Sequence, residues 1–289
     1  MPYLKIKGEN PIKLFYQDLG KGKPVIFIHG WPSNHQMWEY QLAELPKHFR
    51  CIAYDRRGFG QSDKPWTGYD YDTFAADLKS IIDTLELDEV TLVGFSMGGG
   101  EAVRYLSNYG SAKISKIVLV SAVTPFMLKT PDNEDGAPKE LFDGMVADIK
   151  EDRPKFLKGF GNKFFSISAS NKTVSDELLE WAHGLTLQAT QKSTIDCVRA
   201  FSETDFRNDC ESIDVPTLLI HGDDDQTVPL AISSKKAVAL IKHAELKVYE
   251  GAPHGLFITE KDKLNKDLID FISEGVSVNE QEAAYAALT

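Results

Sequence analysis

The chain has 289 residues, 42% of them hydrophobic and 26% charged, with a formal net charge of −11. That acidic balance argues against a nucleic-acid binder, which needs clustered Lys and Arg to neutralise phosphate, and against an anionic membrane surface as partner. No apolar run approaches the length of a bilayer span, and the N-terminus lacks the continuous apolar stretch of a secretion signal. Residues 1–7 alternate polar and apolar side chains and predict a strand. Further short, β-branched apolar runs predict strands at 13–17, 24–29, 50–54, 90–94, 116–120, 217–221 and 245–249. The runs 25–28, 117–120 and 218–220 are unbroken, as in strands covered on both faces of a parallel sheet. Helical periodicity falls between them at 71–85, 97–108, 231–241 and 261–273. Strands interleaved with helices in this way predict βαβ units and an open α/β sheet.

The alternation breaks at 125–211, which holds no convincing strand but many aromatics: Phe126, Phe142, Phe156, Phe160, Phe164, Phe165, Trp181, Phe201 and Phe206. This stretch predicts a helical cap over the C-terminal edge of the sheet, where open α/β folds bind ligands. Most of these rings are expected to pack the cap against the core, and a minority to line a pocket. The expected division is a core of 1–124 and 212–275, a cap of 125–211, and a tail of 276–289 that forms a short helix or a frayed end. Cys51, Cys197 and Cys210 are scattered, odd in number and without metal-ligand spacing. They are expected to be small buried fillers in a reducing cytoplasm.

Gly94-Phe95-Ser96-Met97-Gly98 follows the apolar strand at 90–94 and opens the helix at 97–108. A strand-to-helix turn this sharp strains its middle residue and needs small neighbours, which Gly94 and Gly98 supply. Gly99 and Gly100 are expected to let the helix approach the sheet. Ser96 would then stand exposed above the sheet at the positive end of a helix, a nucleophile rather than a simple N-cap. Of the seven histidines, His254 lies in the loop just after the last strand, on the same edge of the sheet as Ser96. His35, His48, His183 and His243 are read as solvated or structural residues, and His29 and His221, each at a strand end before Gly, as structural hydrogen-bonders. The base needs an acid to hold its tautomer, and Asp223, Asp224 and Asp225 follow the strand at 217–221; spacing does not choose among them. The order Ser, Asp, His along the chain is nonetheless that of a hydrolase triad.

Acyl transfer also needs donors for a developing oxyanion. The N–H of Met97, at the helix start, is one. The other should come from His29-Gly30-Trp31-Pro32 after the strand at 24–29; Pro32 has no N–H, which points to Trp31. The glycines of Asp55-Arg56-Arg57-Gly58-Phe59-Gly60 lack a nucleotide-binding pattern, so this loop is expected to pair its charges with its neighbours.

With these residues in place, the chain resembles the cofactor-free haloperoxidase (perhydrolase) and aryl esterase family of α/β-hydrolases. The similarity runs from about residue 3 to residue 272 and includes His29–Pro32, Asp55–Gly60, Gly94–Gly99, Thr204-Asp205-Phe206, Asp225–Pro229 and Ala252-Pro253-His254-Gly255. It implies the α/β-hydrolase fold, a mostly parallel central sheet flanked by helices with a helical cap insertion. It selects Asp225 as the acid and supports Trp31 and Met97 as oxyanion donors. It also implies a substrate pocket of Phe126, Phe142, Phe160, Phe164, Thr227 and Val228. Pro32 is expected at the same pocket, where it would orient the Trp31 carbonyl to accept a hydrogen bond from peroxide. The implied activity is hydrolysis of small carboxylic esters, with water or hydrogen peroxide as acyl acceptor and no metal or organic cofactor. Haloalkane dehalogenases and epoxide hydrolases carry Asp where Ser96 stands. A lactonase, a C–C bond hydrolase or a hydrolase-like small-molecule sensor would use the same triad, and a homo-oligomer is compatible with all of these.

Overall fold

The computed structural model describes residues 3–6, 11–168 and 171–274; the tail expected at 276–289 lies outside them. Eight strands form one sheet: β1 (Tyr3–Ile6), β2 (Ile12–Leu19), β3 (Pro24–Ile28), β4 (Arg50–Tyr54), β5 (Val90–Phe95), β6 (Ile114–Val120), β7 (Thr217–Gly222) and β8 (Ala244–Tyr249). Their order is β1-β2-β4-β3-β5-β6-β7-β8. The pairings of β1 with β2 and of β2 with β4 are antiparallel, and the others are parallel. The fold expected from the sequence is borne out, down to the unbroken apolar runs: every residue of 25–28, 117–120 and 218–220 is buried.

Ten α-helices among the described residues complete the fold. They are α1 (Glu39–Leu42), α2 (Tyr71–Thr84), α3 (Met97–Tyr109), α4 (Lys139–Phe164), α5 (Asp176–Leu187), α6 (Gln191–Glu203), α7 (Arg207–Glu211), α8 (Ser234–Leu240), α9 (Leu256–Thr259) and α10 (Lys261–Ser273). Two apolar clusters cover the two faces of the sheet: Ile26, Leu92, Ile117 and Leu219 point into one, Phe27, Val93, Val118 and Ile220 into the other. This split is the two-residue periodicity of a strand repeated across the sheet. No helix among the described residues is long and apolar enough to cross a membrane.

Between β6 and β7 lie α4, α5, α6 and α7. α4 is kinked: Asp152 leaves helical geometry at φ −151°, ψ 85°, two residues before Pro154. Proline lacks the N–H that would continue the helix and clashes with the preceding turn. The Asp152 carboxylate accepts the Lys155 N–H at 3.0 Å and so caps the second half. In that half Phe156, Phe160 and Phe164 fall four residues apart and share one face.

Candidate active site

Ser96 sits between β5 and α3 at φ 53°, ψ −118°, a strained position for a residue with a side chain. The turn closes because its neighbours have none. A Cβ at Gly94 would lie 2.5 Å from the Gly98 carbonyl oxygen, and one at Gly98 would lie 2.4 Å from that of Ile28. At Gly99 it would meet Ala122, just past β6, so α3 does lie close to the sheet there. Gly100 differs from expectation: it makes room for the rings of Phe206 and Tyr71 rather than for the sheet.

His254, in the loop after β8, points Nε2 at the Ser96 hydroxyl, 3.0 Å away. Its Nδ1 is 2.6 Å from Asp225 Oδ2. The Asp225 carboxylate can only accept, so Nδ1 carries the hydrogen and donates it, which leaves Nε2 free to accept the hydroxyl hydrogen. The imidazole is wedged between Phe95 and Phe164, whose ring centroids lie 4.8 and 4.9 Å from its own. Of the three adjacent carboxylates only Asp225 is buried. Asp223 is exposed and accepts the Gly251 N–H at 2.6 Å, tying the two loops together.

Asp225 is held from four sides. Oδ1 accepts the backbone N–H groups of Thr227 and Val228 at 2.9 and 2.8 Å. Oδ2 faces His254 and, at 3.2 Å, Nε2 of His221. Burial alone would raise this carboxyl, but the charge of His254 and hydrogen bonds from His221 and His254 outweigh it and hold it well below the usual range. His221 is wholly buried, with Nε2 2.8 Å from the Val228 carbonyl and Nδ1 2.8 Å from the Ser234 hydroxyl. A carbonyl only accepts, so Nε2 carries the hydrogen and turns it toward Asp225 as well. Its structural hydrogen bonds were expected from the sequence; its contact with Asp225 was not.

The loop after β3 lies against the Ser96 turn. A Cβ at Gly30 would come within 3.1 Å of Ser96 Cβ and 2.6 Å of the Phe95 ring, so only glycine allows this approach. The Trp31 indole N–H donates to the Thr194 carbonyl at 3.0 Å, which anchors the side chain on α6 and leaves the backbone N–H for other work. The first N–H groups of α3, Met97 among them, have no acceptor within the helix.

A buried polar layer underlies this loop. His29 donates from Nδ1 to the Gly30 carbonyl at 2.8 Å, while its Nε2 accepts the Arg56 N–H at 2.9 Å. The ring is therefore neutral, and burial together with the Arg56 charge keeps its pKa well below the ordinary histidine value. The Arg56 guanidinium donates to the His29 carbonyl at 2.9 Å and to Glu101 on α3 at 2.6 Å. Asp55 accepts from the backbone and ring of His35 and from the Gln61 N–H. The charges of this loop do pair with their neighbours.

Above Ser96 opens a cavity of about 800 Å³, bounded by the β6–β7 helices and the loops after β3, β7 and β8. Ser96, His254 and Trp31 line its inner end, with Phe142, Phe160, Phe201, Thr227 and Val228 on its walls. A second cavity of about 380 Å³ lies on the far side of Trp31 and Phe160, which line both.

A model of the α/β-hydrolase fold family matches residues 23–261. This chain belongs to the α/β-hydrolase family. The hydrolase is 42% identical over 266 residues to a non-heme chloroperoxidase of Kitasatospora aureofaciens, covering 91% of this chain and 97% of that one. It is 40% identical over 273 residues to a bifunctional esterase/perhydrolase of Acinetobacter calcoaceticus, covering 92% and 98%. A crystal structure of a bromoperoxidase from Bacillus anthracis superposes with a TM-score of 0.90 at 42% identity, over 94% of this chain and 99% of that one. The haloperoxidase and esterase resemblance read from the sequence is borne out.

The hydrolase distributes the expected pocket residues between these two cavities, with one exception. Phe142, Phe160, Thr227 and Val228 line the larger one, whereas Pro32 and Phe164 face the smaller. Phe126 lines neither: its ring lies under the Arg207 guanidinium, 5.4 Å away, which Asp205 and Asp132 hold in place. Val123, Met127, Phe156, Phe201 and Ile232 line the larger cavity without having been singled out for it. The three cysteines are buried and free, and burial raises each thiol well above its ordinary pKa.

Proposed function

We propose that this hydrolase is a serine carboxylesterase with perhydrolase side activity, working in the cytoplasm. The observation that carries it is one hydrogen-bonded line, Asp225 to His254 at 2.6 Å and His254 to Ser96 at 3.0 Å, ending at the floor of a largely apolar cavity. Ser96 attacks the ester carbonyl as His254 takes its proton, and Asp225 stabilises the imidazolium. The N–H groups of Trp31 and Met97 hold the oxyanion, and the segment 125–211 acts as the cap that encloses the bound ester over Ser96. His254 returns its proton to the departing alkoxide.

Water, activated by His254, then releases the acid and frees Ser96. Hydrogen peroxide in the place of water releases a peracid instead, the same bond changes with one more oxygen in the product. The named activities of the chloroperoxidase and esterase/perhydrolase relatives favour this second acceptor. In this reading Pro32 sets the direction of the Trp31 carbonyl toward peroxide. Ser96→Ala, checked for folding by circular dichroism, should lower turnover of p-nitrophenyl acetate by several orders of magnitude. A folded Ser96→Ala protein with nearly full activity would overturn the assignment. Pro32→Leu should lower the ratio of perhydrolysis to hydrolysis, and an unchanged ratio would remove Pro32 from the account.

A further inference from the structure

The larger cavity has an outer end that hydrolysis of a small ester does not require. Its volume of about 800 Å³ lies in the range of sites that enclose a drug-sized ligand, on the order of 300–1,000 Å³. Along α4 its lining runs from Glu140 to Asp152, about 18 Å of helix axis, and continues beyond the kink to Lys163. The inner part is apolar and aromatic. The outer edge is charged and exposed, at Asp148, Glu151, Lys155 and Lys163, so a ligand filling the cavity would reach from Ser96 to solvent.

Two glycines line the cavity along this helix, Gly144 in the first half of α4 and Gly159 in the second. Both are exposed, and a Cβ at either would meet nothing within 4 Å. Neither adopts the positive φ that favours glycine. Close packing and backbone geometry therefore do not demand glycine at these positions, while glycine inside a helix costs backbone entropy. What the two positions share is the empty space in front of them.

We propose that Gly144 and Gly159 keep the outer cavity open for the distal arm of an extended apolar substrate. The preferred substrates are then esters with a medium-chain alkyl or bulky aryl-alkyl arm, rather than acetyl-sized esters with short alcohols. This rests on the esterase function proposed above and narrows it. The arm lies against the cavity wall to which Phe142, Met145, Phe156 and Phe201 contribute, where each methylene leaves water.

The test uses the full chain and two ester series, p-nitrophenyl acetate, butyrate and octanoate, and the acetates of ethanol and octanol. In at least one series kcat/KM should climb with length, by up to about fourfold per buried methylene. Gly144→Phe and Gly159→Phe, with Gly144→Met and Gly159→Met as milder versions, should lower the long-to-short ratio of kcat/KM by about tenfold or more. The ratio is read in variants that melt cooperatively at or above the parent's melting temperature, the milder Met versions serving where a Phe version does not. Flat profiles in both series, or an unchanged ratio in folded variants, would overturn the proposal while leaving the esterase function intact. Failure of the parent chain to turn over any of these esters would overturn the esterase function itself, and this proposal with it.

Discussion

Glycine does opposite work in two regions of this molecule. Around Ser96, Gly30, Gly94, Gly98 and Gly99 are glycine because a neighbouring atom already occupies the place of a Cβ. In α4, Gly144 and Gly159 are glycine with nothing in that place at all. The first set builds a close-packed turn whose strain at Ser96 the surroundings must over-determine. The second leaves a volume unfilled. A residue type with one intrinsic property, freedom from a side chain, thus serves rigidity in the core and capacity in the helices between β6 and β7.

Substitutions should separate the two regions sharply. The largest effect belongs to the rigid one. Asp225→Asn keeps the acceptor for the Thr227 and Val228 N–H groups but loses the charge that holds the His254 tautomer, and kcat/KM should fall about 10³–10⁴-fold with little change in melting temperature. A fall of less than tenfold would show that another group orients His254.

Stability gives the next contrast. Gly98→Ala drives a Cβ to within 2.4 Å of a β3-end carbonyl that cannot move aside, and should cost about 1–3 kcal/mol in urea unfolding. Gly144→Ala, with open space and a helical backbone, should instead gain about 0.5–1 kcal/mol. Equal signs for the two would erase the distinction.

His29 makes the rigid layer sensitive to pH. Unfolded, it binds a proton as the pH falls below about 6.5; folded, it stays neutral between the Gly30 carbonyl and the Arg56 N–H. The unfolded state binds more protons in that window, so stability rises with pH and is lost on acidification, by about 1.4 kcal/mol per pH unit for this one group. His29→Gln can keep both hydrogen bonds without titrating, and should flatten the slope measured by urea unfolding between about pH 7 and about pH 5. A slope unchanged by the substitution would assign the effect elsewhere. The smallest expected change is at His221: His221→Gln removes one of the donors around Asp225, and kcat/KM should fall about threefold to tenfold.

The same contrast explains what could be read from the sequence. Strand, elbow and loop follow one another within a few residues of Ser96, so the chain order of Ser96, Asp225 and His254 was legible from local pattern. The choice of Asp225 was not, because burial decides it: three identical side chains stand in a row and only one points inward. Resemblance to relatives supplied what spacing lacked. The pocket was legible only in part. Which face α4 presents depends on the kink at Asp152 and Pro154, and the kink leaves Phe160 on both cavities and Phe164 on the smaller one. Phe126 was displaced by an arginine from a distant segment, a contact with no local signal. His221 lies four residues before Asp225 in sequence, but nothing in that spacing says the side chains meet inside the protein.

The proposed mechanism passes through an acyl-enzyme on Ser96. Mixing the hydrolase with p-nitrophenyl butyrate, quenching with acid within the first turnovers and analysing its peptides by mass spectrometry tests this directly. A butyryl adduct is expected on the peptide carrying Ser96, absent from Ser96→Ala under the same conditions. Ester turnover without any adduct, or with the adduct on another residue, would contradict it.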